Sequence, residues 1–195
     1  RGLVGSEMCI RDSHYFLYDI YRDFSPFQVI KKSAQVGVSV MMLLKCLYLA
    51  KTKKISTIYT LPSDTDVQEF VTTKVDKILR ANHDLRKMLQ RDTQHLKEIN
   101  DTFVYYKGTI SKTAAIMTTA ELLIHDELDR SDQAVISGFQ SRTIGYKGEG
   151  EVFTGKWTLS NPSVVNSGVD LEWKKSDQKE WYITCSKCKT EQTLK

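Results

Sequence analysis

Apolar residues along this chain fall into two kinds of block, short β-branched runs and longer stretches with helical spacing, separated by small or charged residues. Val29–Lys32 is a run of the first kind. It leads into Ser33-Ala34-Gln35-Val36-Gly37, and then into Val38–Lys51, an apolar block long enough for a helix. Ile55–Leu61 predicts a second strand, stopped by Pro62, with Ser63 and Asp64 capping an amphipathic helix to about Leu79. Downstream the pattern predicts a helical piece over Asp84–Leu89 and strands over Thr102–Tyr106, Ala114–Met117 and Glu121–His125. A helix is expected over Ser131–Arg142 and a last strand over Lys156–Ser160, ended by Asn161-Pro162. Helices interleaved with short apolar strands predict an α/β layered fold with parallel pairing at the centre of its sheet.

Composition narrows this only slightly. The chain has 195 residues, 41% hydrophobic and 27% charged, which suits one globular domain with a proper core. No apolar stretch is long enough to span a membrane, since Val36–Leu49 is broken by Ser39 and Lys45. The net charge of +4 is a mild basic excess that permits contact with a polyanion without the dense clustering of a nucleic-acid-binding tail. Residues 1–13, RGLVGSEMCIRDS, lack periodicity and the plan of a signal peptide, and resemble a translated sequencing adapter. We expect them to be artefactual or disordered, with the natural N-terminus missing. Without Cys9, three cysteines remain: Cys46 in an apolar run and the pair Cys185 and Cys188. That set favours a reducing compartment over a disulfide scaffold.

Candidate chemistry begins at the strand, small-residue loop and helix of Val29–Leu49. Such a loop points backbone N–H groups and a helix N-terminus at an anion. Against the frame G-x-x-x-x-G-K-[ST], the segment Lys32-Ser33-Ala34-Gln35-Val36-Gly37-Val38-Ser39 keeps the second Gly and the Ser, but has Val38 at the usual Lys position and Lys32 at the first Gly. Either the segment is a glycine turn before a buried helix, or its cation has moved to Lys32, with Ser39 offering its hydroxyl to Mg²⁺. Leu122–Glu127 is an apolar strand ending in Asp126 and Glu127. In a nucleotide hydrolase the first carboxylate holds hydrated Mg²⁺ and the second polarises the attacking water; otherwise the pair is a helix cap. Cys185 and Cys188 have the spacing of two thiolates of a zinc knuckle, half of a tetrahedral site, or of a redox pair.

In order, Pro26-Phe27-Gln28, the loop KKSAQVGVS, LLIHDELDR, TLSNPS and the cysteine pair resemble the large terminase subunit of tailed bacteriophages, in its GpA-like branch. The resemblance runs from about Phe24 to the end of the chain. It implies a P-loop NTPase-like three-layer sandwich over residues 14–172. Residues 173–195 would be a linker and the first half of a zinc-ribbon-like module, with a nuclease domain missing. It further implies an ATPase that powers packaging of double-stranded DNA into a prohead, using ATP and Mg²⁺, with Zn²⁺ in the full-length protein. Gln28 would read the adenine edge. Lys32 and Ser33–Ser39 would bind the triphosphate, Ser39 and Asp126 the Mg²⁺, and Glu127 would activate water. Ser160 and Asn161 stand where the γ-phosphate is sensed, although the family more often has Ser-Thr-Pro-Thr there and a plain β-turn is the alternative. Arg142 is a candidate charge-stabilising arginine or a salt-bridged helix end. Implied partners are DNA, the small terminase subunit, the portal protein and further copies in a ring, in the cytoplasm of an infected bacterium. Competing readings are another nucleic-acid-dependent or helicase-like ATPase, and a non-catalytic zinc-knuckle adaptor that binds DNA.

Overall fold

A computed structural model describes residues 15–110, 118–141, 143, 153–185 and 187–193. The segment 1–13, the expected strand Ala114–Met117 and Arg142 lie outside the described residues. Seven strands form one sheet in the order β1-β7-β6-β2-β5-β4-β3: β1 Phe27–Lys31, β2 Thr57–Leu61, β3 Leu89–Asp92, β4 Leu96–Ile99, β5 Thr102–Gly108, β6 Leu122–Asp126 and β7 Gly155–Ser160. From β1 through β5 every pairing is parallel, whereas β5, β4 and β3 form an antiparallel meander at one margin. The other margin is β1, which among the described residues pairs only with β7.

Alternation along each strand sorts side chains onto two faces. Tyr59, Leu122, Ile124, Trp157 and Leu159 join the main core with the helix α2, Val38–Lys53. This helix is apolar almost all round, with every residue from Met41 to Leu47 buried, as expected of a helix lying under other elements. Helix α1, Leu17–Arg22, packs beside it. Helix α3 shares this core and comprises Asp64–Phe70, a π-helical turn Val71–Val75 and Asp76–Ala81. Its start is set as its sequence dictates, with the Asp66 N–H donating to Ser63 Oγ at 3.1 Å. Helix α4, His83–Met88, is capped by Asn82 in the same manner. On the opposite face, Ile58 and Leu123 meet Val135 and Phe139 of α5, Gln133–Gln140, which Asp132 caps. Helix α6, Gly168–Lys174, covers β1 and β7 on that side. The result is the three-layer α/β sandwich with a mainly parallel sheet.

Several boundaries differ from expectation. The first strand begins at Phe27 and ends at Lys31, so Lys32 is the first residue of the loop. The helix expected over Ser131–Arg142 is confined to Gln133–Gln140, because Asp132 turns its carboxylate onto the Ala134 and Val135 amides and fixes the start. Strands β3 and β4 carry too many charges to be read as strands; Lys97 is nevertheless buried between Asp76 and Asp92. Helix α6 runs across residue 172, where a domain boundary was expected. Beyond it, β8 Tyr182–Thr184 and β9 Glu191–Thr193 form a separate antiparallel hairpin. No helix among the described residues is long and apolar enough to cross a membrane.

The helix α3 start abuts the end of β5. A Cβ on Gly108 would lie 2.6 Å from the Asp64 nitrogen and 2.8 Å from the Ser63 carbonyl carbon, both backbone atoms that cannot step aside. Gly108→Ala should therefore lower the unfolding free energy by about 1–3 kcal/mol, read as a lower urea midpoint at unchanged slope. An unaltered midpoint would show that this contact is looser than described.

Candidate functional site

The parallel strands β1, β6 and β7 end side by side, and the polar residues of interest follow their C-terminal ends, the place where ligands bind in open α/β sheets. The Lys32 N–H donates to the Ser160 carbonyl at 3.0 Å, extending the β1–β7 ladder by one residue. The chain then turns through Ser33, Ala34 and Gln35, all exposed, with Gln35 at φ 60°. Gly37 at φ 79° is the N-cap of α2 and supplies no capping side chain. Positive φ is why glycine stands there. The first-turn amides of this 16-residue helix thus lack a side-chain cap, and no acidic residue sits in that turn. Val36 is half-buried and packs on the core, and Val38 is buried within it, so the usual lysine position points inward.

Lys32 folds back over the acidic pair. Its Nζ lies 2.6 Å from Glu127 Oε1 and 3.9 Å from Asp126 Oδ1, and its side chain is only 7% exposed. Asp126 ends β6 on the α2 face, and Tyr59 donates its hydroxyl hydrogen to Asp126 Oδ2 at 2.8 Å. Burial pushes the Asp126 pKa up, and the proximity of Glu127 adds to this. Lys32, Ser39 and Tyr59 pull it back, but the net direction is upward. Its Oδ1 is buried without a hydrogen-bond partner. An orphaned carboxylate oxygen beside a serine hydroxyl is a hard-oxygen donor set that fits Mg²⁺. Glu127 itself adopts a left-handed conformation, φ 56°, and opens a 3-10 turn over Leu128–Arg130.

His125 points to the other face. Its Nδ1 is 2.7 Å from Thr60 Oγ1, its cross-strand neighbour, and burial followed by the charge of Lys156 lowers its pKa to about 3. It is a neutral packing residue.

Ser160 is buried, accepting the Asp129 N–H at 3.2 Å, and Asn161 is exposed just beyond it. The site therefore gathers Lys32, Ser39, Asp126, Glu127, Ser160 and Asn161. Gln28 lies elsewhere, near the start of β1. Its amide nitrogen donates to the Asp23 carbonyl at 2.6 Å and the Ser25 carbonyl at 3.3 Å, and its oxygen accepts from Lys45 Nζ at 3.0 Å. Cys185 and Cys188 belong to the β8–β9 turn, and no group of three or more metal-ligating side chains occurs among the described residues. Sequence reasoning missed Tyr59, Asp129 and Lys45. A tyrosine in the middle of a buried strand, which needs a partner for its hydroxyl, was the available signal for the first.

This sheet, with its small-residue loop after β1 and its acidic pair at the end of β6, is the middle layer of a three-layer α/β sandwich with a mainly parallel centre. A family model described as "Phage terminase large subunit gpA, ATPase domain" matches residues 27–195, and the chain belongs to that family. No curated protein matches it. Among solved structures it is similar to "The Phi-28 gp11 DNA packaging Motor", with a TM-score of 0.43 and 11% identity over 74% of this chain and 49% of that one. The chain thus spans about half the length of that protein.

Two outcomes follow from the titratable groups. Lys45, fully buried in α2, is held by the carbonyls of Ile20 and Asp23 and by the rings of Phe24 and Trp157. Burial lowers its pKa from 10.5 to about 8 against the opposing pull of Asp23. The unfolded chain binds more protons between those values, so stability contributed by this group rises with pH across that window. Relative to Lys45→Met, the wild type should gain about 2 kcal/mol between pH 8 and 10 in paired urea titrations; a constant difference would refute the assignment. Cys46 is pushed up to about 12 by burial, whereas hydrogen bonds from Thr190 bring the exposed Cys188 down to about 7. Iodoacetamide at neutral pH, followed by peptide mass mapping, should modify Cys188 and spare Cys46 in the native, metal-free protein.

Proposed function

We propose that this chain is the ATP-hydrolysing part of a large terminase subunit, a motor that drives double-stranded DNA into a prohead. The observation that carries the reading is the Lys32–Glu127 contact of 2.6 Å beside the unpartnered Asp126 oxygen. The displaced lysine reaches the acidic pair from the front of the loop, so a cation missing from position 38 is present in space.

In this reading the Gly37-capped start of α2 and the Ser33–Ser39 amides receive the triphosphate, and Lys32 turns from Glu127 to the phosphate oxygens. Glu127, relieved of its ammonium, becomes free to accept a hydrogen bond from the attacking water and to polarise it. Ser39 and Asp126 would hold Mg²⁺, which when bound neutralises charge on the phosphates. Ser160 and Asn161, at the end of β7 beside Lys32, sense the γ-phosphate. The whole subunit would add an endonuclease beyond this domain and a Zn²⁺ site begun by Cys185 and Cys188. It would work in the host cytoplasm as a ring, with the small subunit and the portal protein as partners.

Steady-state ATP hydrolysis by the full-length subunit tests this. Lys32→Ala should lower kcat and raise KM. Glu127→Gln should lower kcat by about a hundredfold or more while leaving KM equal or lower, because Lys32 no longer has a carboxylate to leave. Unchanged turnover in both variants would overturn the motor reading.

A further inference from the structure

Asp129 stands two residues beyond Glu127, and the chemistry above makes no use of it. Its carboxylate is nonetheless fully engaged. Oδ1 accepts the Val169 N–H at 2.7 Å, and Oδ2 accepts both the Ser163 N–H at 2.8 Å and the Ser163 hydroxyl at 2.9 Å. Its own N–H donates to Ser160 Oγ at 3.2 Å. Gly168 records how close α6 comes: it sits at φ +51°, and a Cβ there would lie 2.3 Å from Asp129 Oδ1. One carboxylate thus joins the turn that carries Glu127 to the loop after β7 and to the first turn of α6.

The same helix is tied to β1. Asp170 Oδ1 accepts from Lys31 Nζ at 2.9 Å, and its Oδ2 accepts from the Asn166 N–H at 2.8 Å and Lys174 Nζ at 2.9 Å. Lys31, the Asn166 amide and Lys174 hold the Asp170 carboxyl well below the usual carboxylate range. The Lys31 ammonium also lies 4.8 Å over the Trp173 ring. Because Lys31 and Lys32 are consecutive, the contacts close a ring: Glu127, Asp129, α6, Lys31, Lys32, and back to Glu127 at 2.6 Å.

We propose that Asp129 is the positioning residue of Glu127, holding the water-activating carboxylate in register with the end of β1 through α6; this rests on the roles given to Lys32 and Glu127 above. A non-glycine residue at φ 56° keeps that conformation only where its surroundings determine it. While Lys32 is bound to Glu127, the ion pair helps to do so. Once Lys32 turns to the phosphates, that member of the ring is lost; the Arg130 N–H and the Ser131 hydroxyl still close the turn on the Glu127 carbonyl, and the hydrogen bonds of Asp129 are what ties it to β7 and α6. Asp129 therefore matters during turnover and little for ATP binding, since its hydrogen bonds run to Ser160, Ser163 and Val169 and not to the Lys32–Ser39 loop.

The test is Asp129→Asn in the full-length subunit. The amide keeps an acceptor for Val169 but sets its NH₂ against the Ser163 N–H. It should lower kcat about tenfold or more, with KM for ATP and the affinity for a non-hydrolysable ATP analogue changed less than about twofold. A wild-type kcat overturns the proposal, and so does a parallel loss of kcat and analogue binding, which would mark a general structural role. Glu127→Gln in the same assay separates the two levels: if it retains turnover, the roles of Lys32 and Glu127 fail, and the ground for Asp129 fails with them. Should Asp129→Asn not fold, Ser163→Ala removes one hydrogen bond at an exposed residue. It should lower kcat about two- to fivefold at constant KM, and a wild-type kcat there overturns the proposal equally.

Discussion

A lysine ammonium almost without access to water is the constraint around which this site is organised. A buried cation needs anions at contact distance, and Lys32 finds them in Glu127 and, further off, Asp126. The dependence is mutual, because burial disfavours the charged form of Asp126, and Lys32 is the largest influence opposing it. Tyr59 adds a hydrogen bond to the same carboxyl. Losing one member would leave the others buried and uncompensated, so the arrangement is stable as a set, and a polyanionic ligand is the kind of partner able to take Lys32 from it. Position 38 could not serve instead, since its side chain belongs to the core under the sheet.

The sheet makes this possible by alternation. Along β6, Ile124 and Asp126 face α2 while Leu123 and His125 face away from it, so one strand delivers a carboxylate to the loop and a neutral imidazole to Thr60. On that face His125 pairs with Thr60 through Nδ1, while its Nε2 is buried without a hydrogen-bond partner. Glu127, the first residue past the strand, escapes the alternation through its left-handed backbone, which brings two adjacent acids to the same ammonium.

The parallel centre of the sheet, and the position of the loop and the acidic pair at its strand ends, were legible because they rest on local signals: β-branched runs, a Ser63 cap, a small-residue loop and paired acids. The meander of β3 and β4 was not, since polar edge strands lack a hydrophobic signature and their pairing is decided by tertiary contacts such as Lys97 with Asp76. Nor was α6, whose short span of mixed residues gains its helix from Asp129 and Lys31, 40 and 139 residues distant from their partners Val169 and Asp170. Gln28, expected to read an adenine edge, has its amide committed to Asp23, Ser25 and Lys45, which depends on how α1 approaches α2.

The strand that carries Lys32 is secured by a single ladder, against β7, whereas β6 is held on both flanks. Mechanically, these two strands are unequal supports. The acids ride on the doubly flanked middle of the sheet and the lysine just past its singly flanked margin, so the bonds from β1 through α6 to Asp129 are what carry a strain at the loop across to the acidic turn.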